Sequence, residues 1–138
     1  MWRTGAGQQD PRTYMTANKL AQFANQKYVN LETFKKSGQA VHTPLWFVED
    51  QSVLYMRTPA ASAKVRRIRN NHHVRVVPSD VRGNPLGTWL NGQAHLIDAD
   101  HAEWVNDLIK RKYGLLKRLI DLRSRLKGTK AVVIAVRV

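Results

Sequence analysis

The sequence predicts a mainly β (α+β) domain built as a six-stranded antiparallel barrel with flanking helices, and three observations carry the prediction. From Tyr28 onward, short runs rich in valine, leucine and aromatic residues are separated by tight polar turns. Helical patterns fall between hairpins instead of alternating one for one with strands, which disfavours a parallel doubly wound sheet. A chain of 138 residues fits one domain, large enough to bury a core without disulfides or metal staples.

Residues 1–14 mix Gly5, Gly7, Gln8, Gln9, Asp10 and Pro11 without periodicity and read as a flexible N-terminal tail, leaving 15–138 as the domain. Thr16 is placed to cap a short helix carrying Leu20, Ala21 and Phe23. Tyr28 to Phe34 alternates as a first strand, and Lys35-Lys36-Ser37-Gly38 turns. Gln39 to Val48 forms the second strand, in which Pro44 marks an edge or a bulge because proline cannot donate to a ladder. After a turn at Glu49-Asp50-Gln51, Ser52 to Arg57 makes a third antiparallel strand. Thr58 and Pro59 read as the cap and first residue of a helix running to Asn70, with Val65 and Ile68 as its apolar stripe. His73 to Val77 is the fourth strand, Asp80 to Pro85 a polar loop, and Thr88 to Ile97 the fifth strand. Asp98 or Asp100 caps a long helix in which Trp104, Leu108, Leu115, Leu119, Leu122 and Leu126 recur, with a break at Gly114; Lys130 to Val138 is the sixth strand.

Composition narrows the function classes. There is no cysteine, so a disulfide framework, a thiolate nucleophile and cysteine-ligated zinc are excluded. No apolar run approaches the ~20 residues of a membrane span, and Met1-Trp2-Arg3-Thr4-Gly5 lacks the apolar block of a signal peptide, so a soluble cytoplasmic protein is expected. Twenty-three Lys and Arg against ten Asp and Glu give a formal charge of +13, a field that attracts anions. The charge gathers in Lys64 to Arg75 and again in Lys110 to Lys130.

The most informative chemistry lies where the third strand runs into Thr58-Pro59-Ala60-Ala61-Ser62-Ala63-Lys64. A helix N-terminus presents unpaired N–H groups and partial positive charge, which suits a phosphate. Thr58 and Ser62 add hydroxyls, Lys64 and Arg67 add charge, and three alanines leave room for close approach. The competing interpretation is an ordinary capped helix with a solvated basic face. Elsewhere signals are thin. His42, His72 and His73 lack metal-ligand spacing, and His72 and His73 read as turn residues. No serine sits in a nucleophile elbow, and no pair of acids stands out as an acid/base couple, so an enzyme built here would borrow its chemistry from a cofactor. Trp46, Trp89 and Trp104 read as core packing, with one of them free to wall a planar ring.

The run from Tyr28 to Gly114 resembles the pyridoxamine 5'-phosphate oxidase-like flavin-binding split β-barrel family, and within it the branch of deazaflavin (F420)-dependent oxidoreductases. The resemblance is carried by Val29-Asn30-Leu31-Glu32-Thr33-Phe34, by Gly38 to Phe47 with Thr43-Pro44-Leu45-Trp46-Phe47, and by Ser62-Ala63-Lys64-Val65-Arg66-Arg67-Ile68-Arg69-Asn70-Asn71. Val74-Arg75-Val76-Val77-Pro78 and Arg111-Lys112-Tyr113-Gly114 follow in the same order. It implies a homodimer with two cofactors, FMN or coenzyme F420, in clefts between subunits. By that resemblance Thr58, Ser62 and Lys64 would hold the cofactor phosphate, with Arg57 and Arg67 also among the cofactor-binding residues. His42, Thr43 and Pro44 would run along the tricyclic ring, and Trp89 or Asn91 would reach across from the partner subunit. The implied activity is hydride transfer to or from an unknown small molecule, with no essential protein acid or base.

Two other classes compete. The charge and the strand aromatics would suit a nucleic-acid-binding protein, yet paired exposed aromatics for base stacking are missing. Trp104 to Lys127, with basic residues flanking leucines, would suit an interfacial membrane helix, although in a barrel dimer the same leucines cover the barrel or the interface. A non-catalytic cofactor binder is the alternative within the family.

Overall fold

The computed structural model describes residues 18–114 and 130–138. The tail 1–14, the cap expected at Thr16, and the leucines and basic residues expected on the helix at 115–129 lie outside the described residues.

Seven strands, β1 (Tyr28–Phe34), β2 (Ala40–Trp46), β3 (Val48–Asp50), β4 (Val53–Pro59), β5 (His73–Ser79), β6 (Leu90–Asp98) and β7 (Ala131–Arg137), form one antiparallel sheet in the order β2-β1-β5-β6-β7-β4-β3. Helices α1 (Ala63–Asn70) and α2 (Glu103–Tyr113) join them, with residues 18–20 also helical and short 3-10 turns at Ala21–Phe23 and Ala99–His101. The expected six strands are thus corrected to seven, because the second one breaks at Phe47. There the backbone N–H donates to the Tyr113 hydroxyl at 3.0 Å, and the carbonyl accepts from the Lys112 ammonium at 2.9 Å. With both ladder groups of Phe47 taken by side chains, the chain turns a corner. The residues before it pair with β1, and those after it pair with β4 at the other end of the strand order.

The β1–β2 hairpin turns where expected, with Gly38 at φ +91° and its N–H bonded to the Lys35 carbonyl. Pro44 lies on the edge strand, where its missing N–H breaks no ladder bond. The β3–β4 hairpin is tighter: Asp50 faces Val53, and Gln51 and Ser52 between them take φ +48° and +65°. A two-residue hairpin loop of this hand needs positive φ at both positions.

Two other boundaries move. Thr58 and Pro59 do not open the helix; they continue β4, facing Val132 and Ala131 of β7, and the Ala60 N–H extends the contact to the Lys130 carbonyl. The helix starts at Ala63 with Ser62 as its cap. The fifth strand begins at Leu90, because the Gln22 side-chain amide pairs with both the N–H and the carbonyl of Thr88 at 2.8 Å each and takes the place of a ladder partner. The expected Asp98 or Asp100 cap is replaced by the 3-10 turn, and α2 follows from Glu103 with no side-chain cap, ending as expected at Gly114 with φ +63°.

Alternation along the strands sorts the core into two layers. Val29, Leu31, Leu54, Met56, Val74, Val76, Ile134 and Val136 share one face with Ile68 of α1. On the opposite face Val53, Tyr55, Val133 and Ala135 pack against Val105 and Ile109 of α2. Burying side chains of this size contributes ~1.5–3 kcal/mol each. Of Trp46, Trp89 and Trp104, Trp46 takes the expected core role, packing against the α2 layer and stacking on Tyr113 at 4.3 Å between centroids, whereas Trp104 is 44% exposed and Trp89 is half-buried outside both layers. His73 is likewise no turn residue; it opens β5 and stacks on Phe34. Among the described residues no helix is long and apolar enough to cross a membrane.

Candidate functional site

Two groups of polar residues stand out from the packing. The first lies where β4 gives way to α1. The Ser62 N–H bonds to the Pro59 carbonyl at 3.1 Å, closing a turn between the strand and the helix. The hydroxyls on either side of that turn, Thr58 Oγ1 and Ser62 Oγ, are shielded from solvent and have no hydrogen-bond partner among the described residues. An unpaired shielded hydroxyl costs free energy that an incoming acceptor recovers. The first intrahelical bond, Arg66 N–H to the Ser62 carbonyl, leaves the preceding N–H groups of α1 without a helical partner.

Lys64 and Arg67 supply charge beside them. Burial lowers the Lys64 ammonium below the usual lysine value, and repulsion from Arg67 lowers it further. Arg67 is also lowered, by burial and then by Arg66, while its Nε donates to Thr33 Oγ1 at 2.7 Å. No carboxylate forms an ion pair with either among the described residues. Partly desolvated cations without a counter-ion, next to unpaired hydroxyls and a helix N-terminus, form an arrangement that an anion completes.

The second group lies on β2, β1, β5 and the segment entering β6. Glu32 is 2% exposed although it faces away from the core cluster of Val29 and Leu31. Both its oxygens receive Arg75, from Nε and, at 2.8 Å, from Nη2, and Oε2 also receives His42 Nε2 at 2.7 Å. These contacts, Arg75 foremost, hold its carboxyl below the usual glutamate value against the opposing effect of burial. The same bond raises Arg75. Over this ion cluster lies Trp89, its ring centroid 5.4 Å from the His42 ring and 5.0 Å from the Arg75 guanidinium carbon. Next along the face, Asn30 gives its Nδ2 to the Gly83 carbonyl at 2.8 Å and leaves Oδ1 unpaired.

The structure therefore gathers the expected site residues into two sets. Thr58, Ser62, Lys64 and Arg67 surround the β4–α1 junction. His42 and Trp89 meet, with Pro44 two residues along the edge strand and Asn91 opposite Arg75 in the ladder. Thr43 pairs with Leu31 and so belongs to the other face of β2, and Arg57 sits apart from the hydroxyls, lining a hollow with Asp100, Glu103 and Asn106. Glu32, Arg75 and Asn30 were not among the expected site residues. Their one signal in the sequence is the hairpin register itself, which puts Glu32 opposite His42 ten residues on.

Comparison with known proteins agrees with this architecture. Residues 15–137 match the family model described as pyridoxamine 5'-phosphate oxidase. No curated protein matches the chain. Among solved structures, conserved hypothetical protein Rv2991 from Mycobacterium tuberculosis superposes with a TM-score of 0.64 at 17% identity, over 86% of this chain and 77% of that one. The heme storage protein HutZ from Vibrio cholerae superposes with a TM-score of 0.63 at 15% identity, over 93% of this chain and 88% of the other. An F420 reductase gives 0.56 at 20% identity, over 86% and 90%. At these identities the likeness is one of fold.

Proposed function

Because the chain belongs to the pyridoxamine 5'-phosphate oxidase family, we propose that it is a homodimeric oxidoreductase that binds a flavin-type cofactor, FMN or the deazaflavin F420, through the β4–α1 junction. The observation that carries this reading is the pair of shielded, unpartnered hydroxyls of Thr58 and Ser62 beside Lys64. A phosphate brings acceptor oxygens to both hydroxyls and to the first-turn N–H groups, and its charge offsets the desolvation of Lys64 and Arg67. FMN and F420 both carry a phosphate, so this cradle fits either. The acidic tail of F420 additionally suits the net charge of +13.

The face formed by His42, Pro44 and Trp89 is the place for the ring. It offers a half-buried indole, a proline and an imidazole on a sheet face where the Glu32–Arg75 pair ties β1 to β5. Among the described residues no hydrogen bond or ring contact joins this face to the phosphate cradle, and a second copy of the chain is the element that brings the two together. Trp89 keeps to His42 and Arg75 of its own chain, so it walls the ring from there. When bound, the cofactor supplies hydride transfer to or from a small molecule. The chain's own residues bind the phosphate, flatten the ring against the sheet and exclude water.

The test is equilibrium titration of the purified protein with FMN and with F420, read by absorbance and fluorescence, together with light scattering. Saturable binding of one of them to a dimer is expected. A protein that ignores both and instead shifts single-stranded DNA at physiological salt would replace this reading with a nucleic-acid-binding one. Tight binding without turnover of any electron acceptor or donor would leave a non-catalytic cofactor carrier.

A further inference from the structure

We propose that Glu32 fixes His42 in one tautomer, so that His42 Nδ1 serves as the hydrogen-bond acceptor for the pyrimidinedione N–H of a flavin-type ring; this rests on the cofactor reading above. Glu32 is held ionised by Arg75 and can only accept. The 2.7 Å contact with His42 Nε2 therefore has the imidazole as donor, and Nε2 carries the proton. A neutral imidazole with a proton on Nε2 has a lone pair on Nδ1. No partner of Nδ1 is found among the described residues, and the His42 side chain is 48% exposed.

A buried carboxylate orients the imidazole here much as one orients a metal-binding histidine, but the free nitrogen is turned toward an organic donor. Arg75 occupies both Glu32 oxygens, so the carboxylate is itself held in place and His42 keeps its orientation. Trp89 beside the imidazole provides a surface on which a planar group lies. An oxidised isoalloxazine or its 5-deaza counterpart has a single ring N–H, at N3 of the pyrimidinedione. On the pyrimidinedione edge that N–H is the one group able to donate to Nδ1. The structure thus assigns His42 a part in telling which edge of the ring enters, and Glu32 the part of a positioning residue.

The test compares FMN and 5-deaza-FMN with their N3-methyl analogues, which keep the ring and phosphate and lose the donor, in equilibrium titrations of the apo protein. Wild type is expected to prefer each parent over its N3-methyl analogue by about tenfold, the worth of one net hydrogen bond. His42→Ala should bind parent and analogue within about twofold of one another, since truncating the acceptor removes the basis of the choice. At alkaline pH, where an imidazole is neutral, ring 15N NMR of the unliganded protein should show the His42 proton on Nε2, and Glu32→Gln, whose amide both donates and accepts, should show a mixture of tautomers. Preference for the parent compounds that survives in His42→Ala would overturn the proposal and hand the N–H to another acceptor, Asn30 Oδ1 first. Equal affinity of wild type for parent and analogue would overturn it while leaving the cofactor reading intact. Failure of wild type to bind any of the four would overturn the proposal, and failure to bind F420 as well would overturn the cofactor reading.

Discussion

Glu32 and Arg75 face each other across β1 and β5, and the guanidinium closes on both carboxylate oxygens in a bidentate pair that leaves the acid 2% exposed and the arginine side chain 39% exposed. Removing the carboxylate charge should matter, because Arg75 then has only solvent on one side. Glu32→Gln is expected to lower stability by about 1–3 kcal/mol at neutral pH, with solvent around Arg75 keeping the loss toward the lower end. The sign of its pH dependence follows from the lowered pKa of Glu32. In the interval between the folded and unfolded values the unfolded chain binds the proton more tightly. The stabilisation is therefore complete above the ordinary glutamate value of ~4.3 and disappears as pH falls through the lower folded value. Urea unfolding of wild type and Glu32→Gln from neutral to acid pH should show their difference shrinking on the acid side. A difference independent of pH would mean that the ion pair does not set it.

At the β4–α1 junction the contrast between Lys64 and Arg69 separates a built anion site from a diffuse basic surface. Lys64→Ala should weaken FMN or F420 binding by about 1.5–3 kcal/mol, the loss of a charge-assisted hydrogen bond. Arg69, exposed on the far side of α1, should matter slightly and chiefly at low salt. Burial lowers the Lys64 pKa, so its charged form costs folding free energy, and Lys64→Ala should hold stability within about 0.5 kcal/mol of wild type or raise it. Titrations at two ionic strengths decide the matter. Equal losses for both substitutions, both vanishing in salt, would dissolve the cradle.

Tyr113 ties the end of α2 to the corner of the sheet. Its hydroxyl accepts from the Phe47 N–H at 3.0 Å and reaches the carbonyl of Lys27 at 2.7 Å, and burial pushes its pKa up to about 12, so it remains a phenol. Tyr113→Phe strands the Phe47 N–H and should cost about 1–3 kcal/mol. Amide exchange of Phe47 should accelerate more than the global loss of stability accounts for. Unchanged exchange at Phe47 would show that the corner holds without the tyrosine.

The β3–β4 turn places Ser52 at φ +65°, a conformation that costs an L-residue ~1–2 kcal/mol and glycine almost nothing. Ser52→Gly is expected to raise stability by up to about 1 kcal/mol after the added freedom of glycine in the unfolded chain is subtracted, which shows as a higher thermal midpoint. A lower midpoint would argue against the two-residue turn.

Most strands were legible because their apolar runs and polar turns are local signals. What the sequence hid depends on distant partners. Nothing between Gln39 and Val48 announces that Phe47 surrenders both its backbone groups to residues 65 and 66 positions later, so one long strand was expected where two short ones form. Thr58-Pro59 carries every local mark of a helix start, yet pairing with β7 keeps both residues extended. The grouping of Thr58, Ser62, Lys64 and Arg67 at the β4–α1 junction was legible because the four fall within ten residues of one another. The Glu32, Arg75 and Trp89 cluster was not, since three separate strands or segments deliver it, and the buried acid on β1 hides in what reads as a plain alternating strand.

The position of β7 between β6 and β4 bears on how the protein emerges from the ribosome. Before residues 131–137 are made, the strands already synthesised can pair only as two pieces, β2-β1-β5-β6 and β4-β3, each ending in an open edge. The last strand, Ala-Val-Val-Ile-Ala-Val-Arg, zips both edges at once and carries five buried residues into the core. The sheet therefore stays in two pieces until residues 131–137 are available to join them, and until then each piece presents an edge open to wrong pairing. A chain stalled before Ala131 would have the hairpins of the native protein without the strand that joins them into one sheet.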